Sequence, residues 1–160
     1  MQASLKRIRI LLIVFVVGLV LSGLTAFPLV TEVGILRSFL GLGTGLGAAL
    51  PNLAAWIERV HAGLVETDAR YPFILYGTDW LAFAHLVIAV AFWGPYKDPL
   101  KNRWVVQFGM IACVAVIPLA LIAGQVRGIP FVWRLIDCSF GVFGILPLWL
   151  VDREIRRLGS

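Results

Sequence analysis

The sequence predicts an all-α membrane protein: a bundle of four transmembrane helices with an amphipathic, interfacial helical segment between helices 1 and 2. Of its 160 residues, 60% are hydrophobic and 14% are charged, whereas a soluble domain is about half apolar and about a quarter charged. The apolar residues gather in four runs of roughly 20, the length that a helix needs to cross a bilayer. We therefore expect a single integral membrane domain over residues 1–160.

The first apolar run, about 8–29, follows a cluster of cations at 6–9, an order that is also found in signal peptides. Two features favour a helix that is retained. The run is long enough to span. In addition, Leu24 occupies a position at which cleavage before Phe27 would require a small residue. We expect an uncleaved transmembrane helix.

The segment at about 31–71 combines charged residues with many Leu and Ala, and is the long connection between spans. The glycine-rich stretch 40–47 predicts a flexible turn after a short helix. A second helix is expected from Pro51, because proline is favoured in the first helical turn. It carries an apolar stripe at helical spacing, typical of a helix that lies on the membrane surface. The stripe consists of Leu53, Ile57, Val60 and Leu64.

Three further apolar runs are expected to span: about 72–93, about 104–123 and about 130–150. The first of these ends at 94–99, where two prolines and a glycine cannot continue a helix. Pro118 lies inside the next span and predicts a kink. A short turn at 124–129 leads to the last span, and 151–160 is expected to be a basic tail.

The distribution of cations predicts the orientation. Nine Lys and Arg lie in the N-terminal stretch, the 94–103 loop and the tail, against four on the other side. The positive-inside rule then places both termini in the cytoplasm, in what we expect to be a bacterial inner (plasma) membrane. Because the net charge of +5 is concentrated beside the spans, it indicates topology signals and contacts with anionic lipid rather than nucleic-acid binding.

Charged side chains inside a span are costly and usually face the protein interior or a cavity. At 1.5 Å per residue, Asp79 and Asp137 lie roughly 10 Å below the outer boundary and Arg134 roughly 6 Å. Since helices 2 and 4 enter from the same side, we expect the three to share a level, with Arg134 between the two carboxylates. Neighbouring polar residues would complete a ligand-binding site in the outer half: Tyr76, Gln125 and Arg127.

Several roles for this cluster remain open from sequence. It could be a static ion network that fixes helix register, or a site for a small polar molecule, a lipid head group or a partner subunit. The alternatives are an intramembrane enzyme that uses Asp79 or Asp137 as acid or base, and a proton-linked transporter with His85 in the proton path. Whether the protein is an enzyme is left open.

His85 lies about 120° around the helix from Asp79, which favours a hydrogen-bonded packing role. A bis-His haem would need His61 on the external helix, so haem is not expected, and no spacing indicates a metal site. Cys113 and Cys138 both lie in apolar runs, and their pairing is left open. The expected partners are the lipid bilayer and either another membrane protein or a second copy of the chain.

Overall fold

The computed structural model describes residues 2–159, without the side chain of Ala3. Within this range the chain forms eight α-helices and one 3₁₀ turn, Pro72–Ile74, and no strand. The helices are α1 Gln2–Ala26, α2 Leu29–Leu40, α3 Gly45–Ala49, α4 Pro51–Arg70, α5 Tyr76–Ala91, α6 Trp93–Lys97, α7 Arg103–Val126 and α8 Phe131–Gly159.

Four stretches of the described chain are helical, long and apolar enough to cross a membrane: Ser4–Ala26, Pro72–Lys97, Arg103–Val126 and Phe131–Gly159. The prediction of an all-helical chain is thereby confirmed, and so is that of four helices long and apolar enough to span a membrane. Large apolar side chains lie on the outside of these helices, and Ile111, Ile122 and Phe143 are each about two-thirds exposed. A surface of this kind is unfavourable in water but suits contact with lipid.

The helix ends differ from the expected boundaries at three places. The second span was expected to end at 94–99, but the break falls at Phe92 and Trp93–Lys97 forms the short helix α6, whose first turn accommodates Pro95. Helix α1 begins at Gln2 and ends at Ala26, before the expected start and end. The region 151–160, expected as a tail, continues α8 as far as Gly159. It does so because Leu148, Val151 and Ile155 form a buried stripe that holds this part of the helix against its neighbours.

The chain divides into two compact units. The first unit comprises 2–20 and 87–159, and the second comprises 21–86. The core of the first unit joins α1, the end of α5, α7 and α8, and its largest buried side chain, Phe92, packs its ring 4.8 Å from that of Phe15. The core consists of Ile8, Leu12, Phe92, Val105, Val106, Leu148, Val151 and Ile155.

Helices α7 and α8 form an antiparallel hairpin in the first unit. The predicted turn between them is closed by two backbone bonds, Gly128 N–H to the Gln125 oxygen and Ile129 N–H to the Gly124 oxygen. This is a Schellman motif, and Gly128 takes the left-handed φ of +69° that it requires. Farther along, the backbone of Gly141 lies directly against the Cys113 carbonyl, so the two helices approach closely.

The second unit contains a hairpin of α2 and α4, connected through α3. Arg37 and Glu58 form an ion pair of 2.6 Å across it, and the His61 ring packs against Gly34. The predicted apolar stripe of α4 faces inward to different degrees: Ile57 is buried, whereas Leu53, Val60 and Leu64 are half-buried.

Candidate functional site

A cavity of about 590 Å³ lies within the second unit, where the start of α2, the end of α4 and the start of α5 meet. Its volume is within the range of small-molecule sites, which is about 300–1,000 Å³. The polar part of its wall comes from three different elements: Thr31 on α2, Asp68 on α4, and Tyr76, Thr78 and Asp79 on α5.

Asp79 lies in the first turn of α5, a position where a carboxylate is favoured by the unpaired N–H groups of the helix end. The residue is half-buried. Within residues 21–86, no basic side chain lies within ion-pair distance of its carboxylate. The polar groups beside it are otherwise engaged, since Thr78 donates its hydroxyl to the Leu75 carbonyl at 2.6 Å. The Asp79 carboxylate therefore remains available to a ligand.

Asp68 is a second acid in this wall that the sequence analysis did not select. It lies near the C-terminus of α4, where a negative charge is disfavoured by the helix dipole. The neighbouring Glu66 is neutralised by Arg70 at 3.2 Å, whereas Asp68 has no such partner within its unit. The Asp68 side chain is exposed and, within its unit, unpaired, so its carboxylate is available to a ligand. Its place on an external helix gave no signal in the sequence.

The remaining wall of the cavity is apolar and partly aromatic. The Phe73 side chain packs edge-on against Tyr71, with ring centroids 6.2 Å apart. Tyr76 meets Trp80 in the same geometry at 6.0 Å. None of the described residues that line the cavity is basic. The apolar lining consists of Phe27, Pro28, Leu29, Val30, Pro72, Phe73 and Leu75.

This composition determines which ligands the cavity can accept. Two carboxylates without a cation attract a positive charge, and they bind an ammonium group through charge-assisted hydrogen bonds. The faces of Phe73 and Tyr76 can add a cation–π contribution. An anion would be repelled. A divalent cation takes about six oxygen ligands, so on two carboxylates it would have to keep several of its waters.

Arg134, expected at the centre of the site, belongs to the first unit and is engaged at the α7–α8 connection. It donates from Nη1 to the Leu121 carbonyl at 3.2 Å, and its guanidinium lies 5.4 Å from the Phe131 ring centroid. Its aliphatic stem packs against Gly124. Nε is buried and has no hydrogen-bond partner among residues 2–159. These contacts favour a role in holding the two helix ends together.

The expected ion pair between Arg134 and Asp137 is not formed within the described part of the chain, where Asp137 is half-buried and forms no ion pair in its unit. The reason is that Arg134 turns toward α7 instead of along its own helix. Gln125 and Arg127 are exposed at the nearby turn. Of the expected ligand-binding residues, the structure thus brings Tyr76 and Asp79 together. The convergence of Asp79 with Arg134 and Asp137 stays a prediction.

His85 is bonded to its own helix. Its Nδ1 lies 2.7 Å from the Leu81 carbonyl oxygen one turn earlier, so this nitrogen donates the hydrogen bond. The Cβ of His85 also lies close to Gly23 of α1, where a methyl group would be tightly placed. These contacts support the packing interpretation of His85. The expectation about haem stays a prediction.

A second charged cluster, in the first unit, was missed in the sequence analysis. Asp152 is 2% exposed and binds Arg103 at 2.7 Å and Arg156 at 2.5 Å. Glu154, also buried, binds Arg7 at 3.4 Å. The signal was present in the sequence. Asp152 lies in the same helical stripe as the apolar Leu148, Val151 and Ile155, a position that faces inward.

Among residues 2–159, no group of three or more His, Cys, Asp and Glu side chains is arranged to hold a metal ion. Cys113 and Cys138 are both free thiols. No family model matches the chain, and neither a curated protein nor a solved structure matches it. The function has to be inferred from the residues of this chain.

Proposed function

We propose that this chain is an integral membrane protein with four spans that binds a small organic cation with an apolar part. The site is the cavity formed by 27–31, Asp68 and 72–79. One observation carries the proposal. In this cavity two carboxylates without a cationic partner in their unit face the same space as aromatic and aliphatic side chains.

The energetics support an organic ammonium ion in particular. Removing a charge from water is costly unless it is paired and hydrogen-bonded, and Asp79 and Asp68 offer both. The apolar part of such a ligand would cover Phe73 and Tyr76, whose residues are 73% and 59% exposed. The ammonium group and the apolar part of the ligand therefore both gain binding free energy from the same wall. An uncharged or anionic analogue loses the charge-assisted hydrogen bonds, which are the larger contribution.

The proposed orientation determines which face of the membrane this cavity opens to. The nine Lys and Arg of the N-terminal stretch, the 94–103 loop and the region 151–160 favour the cytoplasm. The segments that form the cavity lie at the opposite ends of the first and second spans. In this arrangement the cavity opens toward the outer face. The α2–α4 hairpin, with exposed Ile35 and Phe39, would lie at that membrane surface.

The test uses the full chain in detergent and three probes that share a phenethyl group: phenethylammonium, phenethyl alcohol and 3-phenylpropanoate. We expect saturable thermal stabilisation by the ammonium probe alone. At a concentration about 100-fold above Kd, the free energy of unfolding should rise by about 2.7 kcal/mol. Stabilisation of equal size by the alcohol or the acid would contradict the proposed recognition of charge.

Variants connect the effect to the site. Asp79→Asn keeps the size of the side chain, and should abolish stabilisation by phenethylammonium. Asp68→Asn should weaken it. Glu66→Gln is the matched control, because Glu66 lies on the same helix as Asp68 but pairs with Arg70 outside the cavity. If Asp79→Asn folds like the wild type and still binds the probe with unchanged Kd, the proposal is wrong.

A further inference from the structure

A second hollow, of about 520 Å³, lies in the first unit along the start of α1. Two cations, Lys6 and Arg9, stand at its polar end, and Tyr96 closes one side. The rest of the wall is aliphatic, formed mainly by Leu5, Ile10 and Ile13. No acidic residue is among the described residues that line it. This hollow is called the basic groove below.

The spacing along α1 places the two cations of the basic groove on the same side of the helix. Lys6 and Arg9 are three residues apart on α1 and so lie on nearly the same face. Arg7, between them, lies on another face and reaches Glu154 at 3.4 Å. Within residues 2–159, neither Lys6 nor Arg9 forms an ion pair. The protein thus neutralises Arg7 internally and leaves the charges of Lys6 and Arg9 to an external partner.

Arg9 is held in place for binding. Its Nε donates to the Tyr96 carbonyl at 3.3 Å, and its guanidinium lies 5.7 Å from the centroid of the Tyr96 ring. Tyr96 is itself stacked on Trp93, with ring centroids 5.4 Å apart. The terminal nitrogens of Arg9 have no hydrogen-bond partner in the described chain, so they can donate to a phosphate. Because the side chain is already ordered, binding costs little additional entropy.

We propose that the basic groove binds an anionic phospholipid, with its phosphate between Lys6 and Arg9 and one acyl chain along Ile10 and Ile13. The charge of the groove complements the head group, and Arg9 offers a planar pair of donors that suits phosphate. The aliphatic wall continues from these cations along the spanning stretch Ser4–Ala26. A free anion would contact the cations only, whereas a lipid also covers the aliphatic wall. This site is independent of the cavity around Asp79.

The test measures lipid retention by native mass spectrometry of the full chain. It uses phosphatidylglycerol and phosphatidylcholine with identical acyl chains. We expect wild type to hold the first phosphatidylglycerol about tenfold or more tightly than phosphatidylcholine, since each cation near an anionic head group adds to the affinity. The double variant Lys6→Gln/Arg9→Gln should reduce this preference to within about twofold.

The matched control is Lys101→Gln/Arg153→Gln. It removes the same charge, and Arg153 lies 5.7 Å from the Trp149 ring, the same distance as Arg9 from Tyr96. Neither residue lines the groove. The control should keep the preference for phosphatidylglycerol. An equal loss in both double variants would show diffuse attraction by net charge and overturn the proposal.

Two further measurements cover the remaining outcomes. The variant Lys6→Arg/Arg9→Lys keeps both charges and should keep the preference for phosphatidylglycerol. It shows that substitution at these two positions leaves α1 folded, so that the loss in Lys6→Gln/Arg9→Gln can be assigned to the site. Inorganic phosphate should not displace bound phosphatidylglycerol at equal concentration, because it gains nothing from Ile10 and Ile13. Displacement by phosphate alone would mean that the groove binds a free anion rather than a lipid.

Discussion

At the scale of single residues, the strongest effect on stability is expected at Asp152. Its side chain is 3% exposed and binds Arg103 and Arg156, whose side chains are 36% and 58% exposed. Asp152→Asn removes the charge that both arginines share. Since they can still reach water, the cost should be about 1–3 kcal/mol, below the full penalty of an unpaired buried charge. Thermal unfolding of the purified chain measures it.

The comparison for Asp152→Asn is Glu66→Gln. Glu66 pairs with Arg70 at 3.2 Å, but both side chains are more than 60% exposed. An exposed pair of this kind contributes at most about 0.5 kcal/mol. Equal and small effects of the two substitutions would show that the Asp152 cluster does not stabilise the fold.

The same residues show what the sequence can and cannot predict about a site. Asp79 was selected because a charge inside a span is costly, and Tyr76 because it is a polar neighbour of Asp79; the structure brings both into one cavity. Asp68 was not selected, because an acid on an external helix is ordinary until the cavity beside it is seen. The direction of Arg134 was also not predictable. Helical spacing allows Arg134 to pair with Asp137. In the structure, the Arg134 side chain instead turns toward α7, where its stem packs against Gly124.

At the scale of elements, glycine determines how closely α7 and α8 pack. A methyl group added at Gly141 would meet the Cys113 carbonyl, which is backbone and cannot turn aside. Gly141→Ala should therefore cost about 1–3 kcal/mol through overpacking. Gly63, inside α4, has open space around it. Gly63→Ala should instead stabilise its helix by about 0.5–1 kcal/mol. Thermal unfolding of both variants checks the sign, and a loss at Gly63 equal to that at Gly141 would contradict it.

The helices themselves were largely predictable, and their ends were less so. Apolar length predicted the four spans, and glycine predicted the turn before Phe131. The expected end of the second span at 94–99 was wrong, because the break falls at Phe92 and Trp93–Lys97 is helical. The continuation of α8 to Gly159 was missed, because a basic stretch after a span was interpreted as a tail. The buried stripe through Val151 and Ile155 explains the difference: tertiary contacts extend the helix beyond the apolar run.

At the scale of the whole molecule, the two proposed sites belong to different units of the chain and differ in charge. The cavity with Asp68 and Asp79 is acidic, and the basic groove with Lys6 and Arg9 is cationic. The distribution of cations that predicts topology also predicts this difference between the two sites. In the proposed orientation, anionic lipid is bound at the cytoplasmic face and an organic cation at the outer face. The side of the membrane on which each ligand binds therefore depends on which way each site faces.

Cysteine accessibility in intact cells tests that orientation. In a chain with Cys113→Ala and Cys138→Ala, single cysteines are introduced as Arg59→Cys and Lys101→Cys, both at exposed positions. Each substitution removes one cation from one side, so the bias of nine to four changes only to nine to three or eight to four. An impermeant maleimide should label Arg59→Cys in intact cells and Lys101→Cys only after permeabilisation, because cation-rich loops remain in the cytoplasm. The opposite pattern would invert the topology and place the Asp79 cavity inside the cell, where a ligand would have to be a cytoplasmic amine.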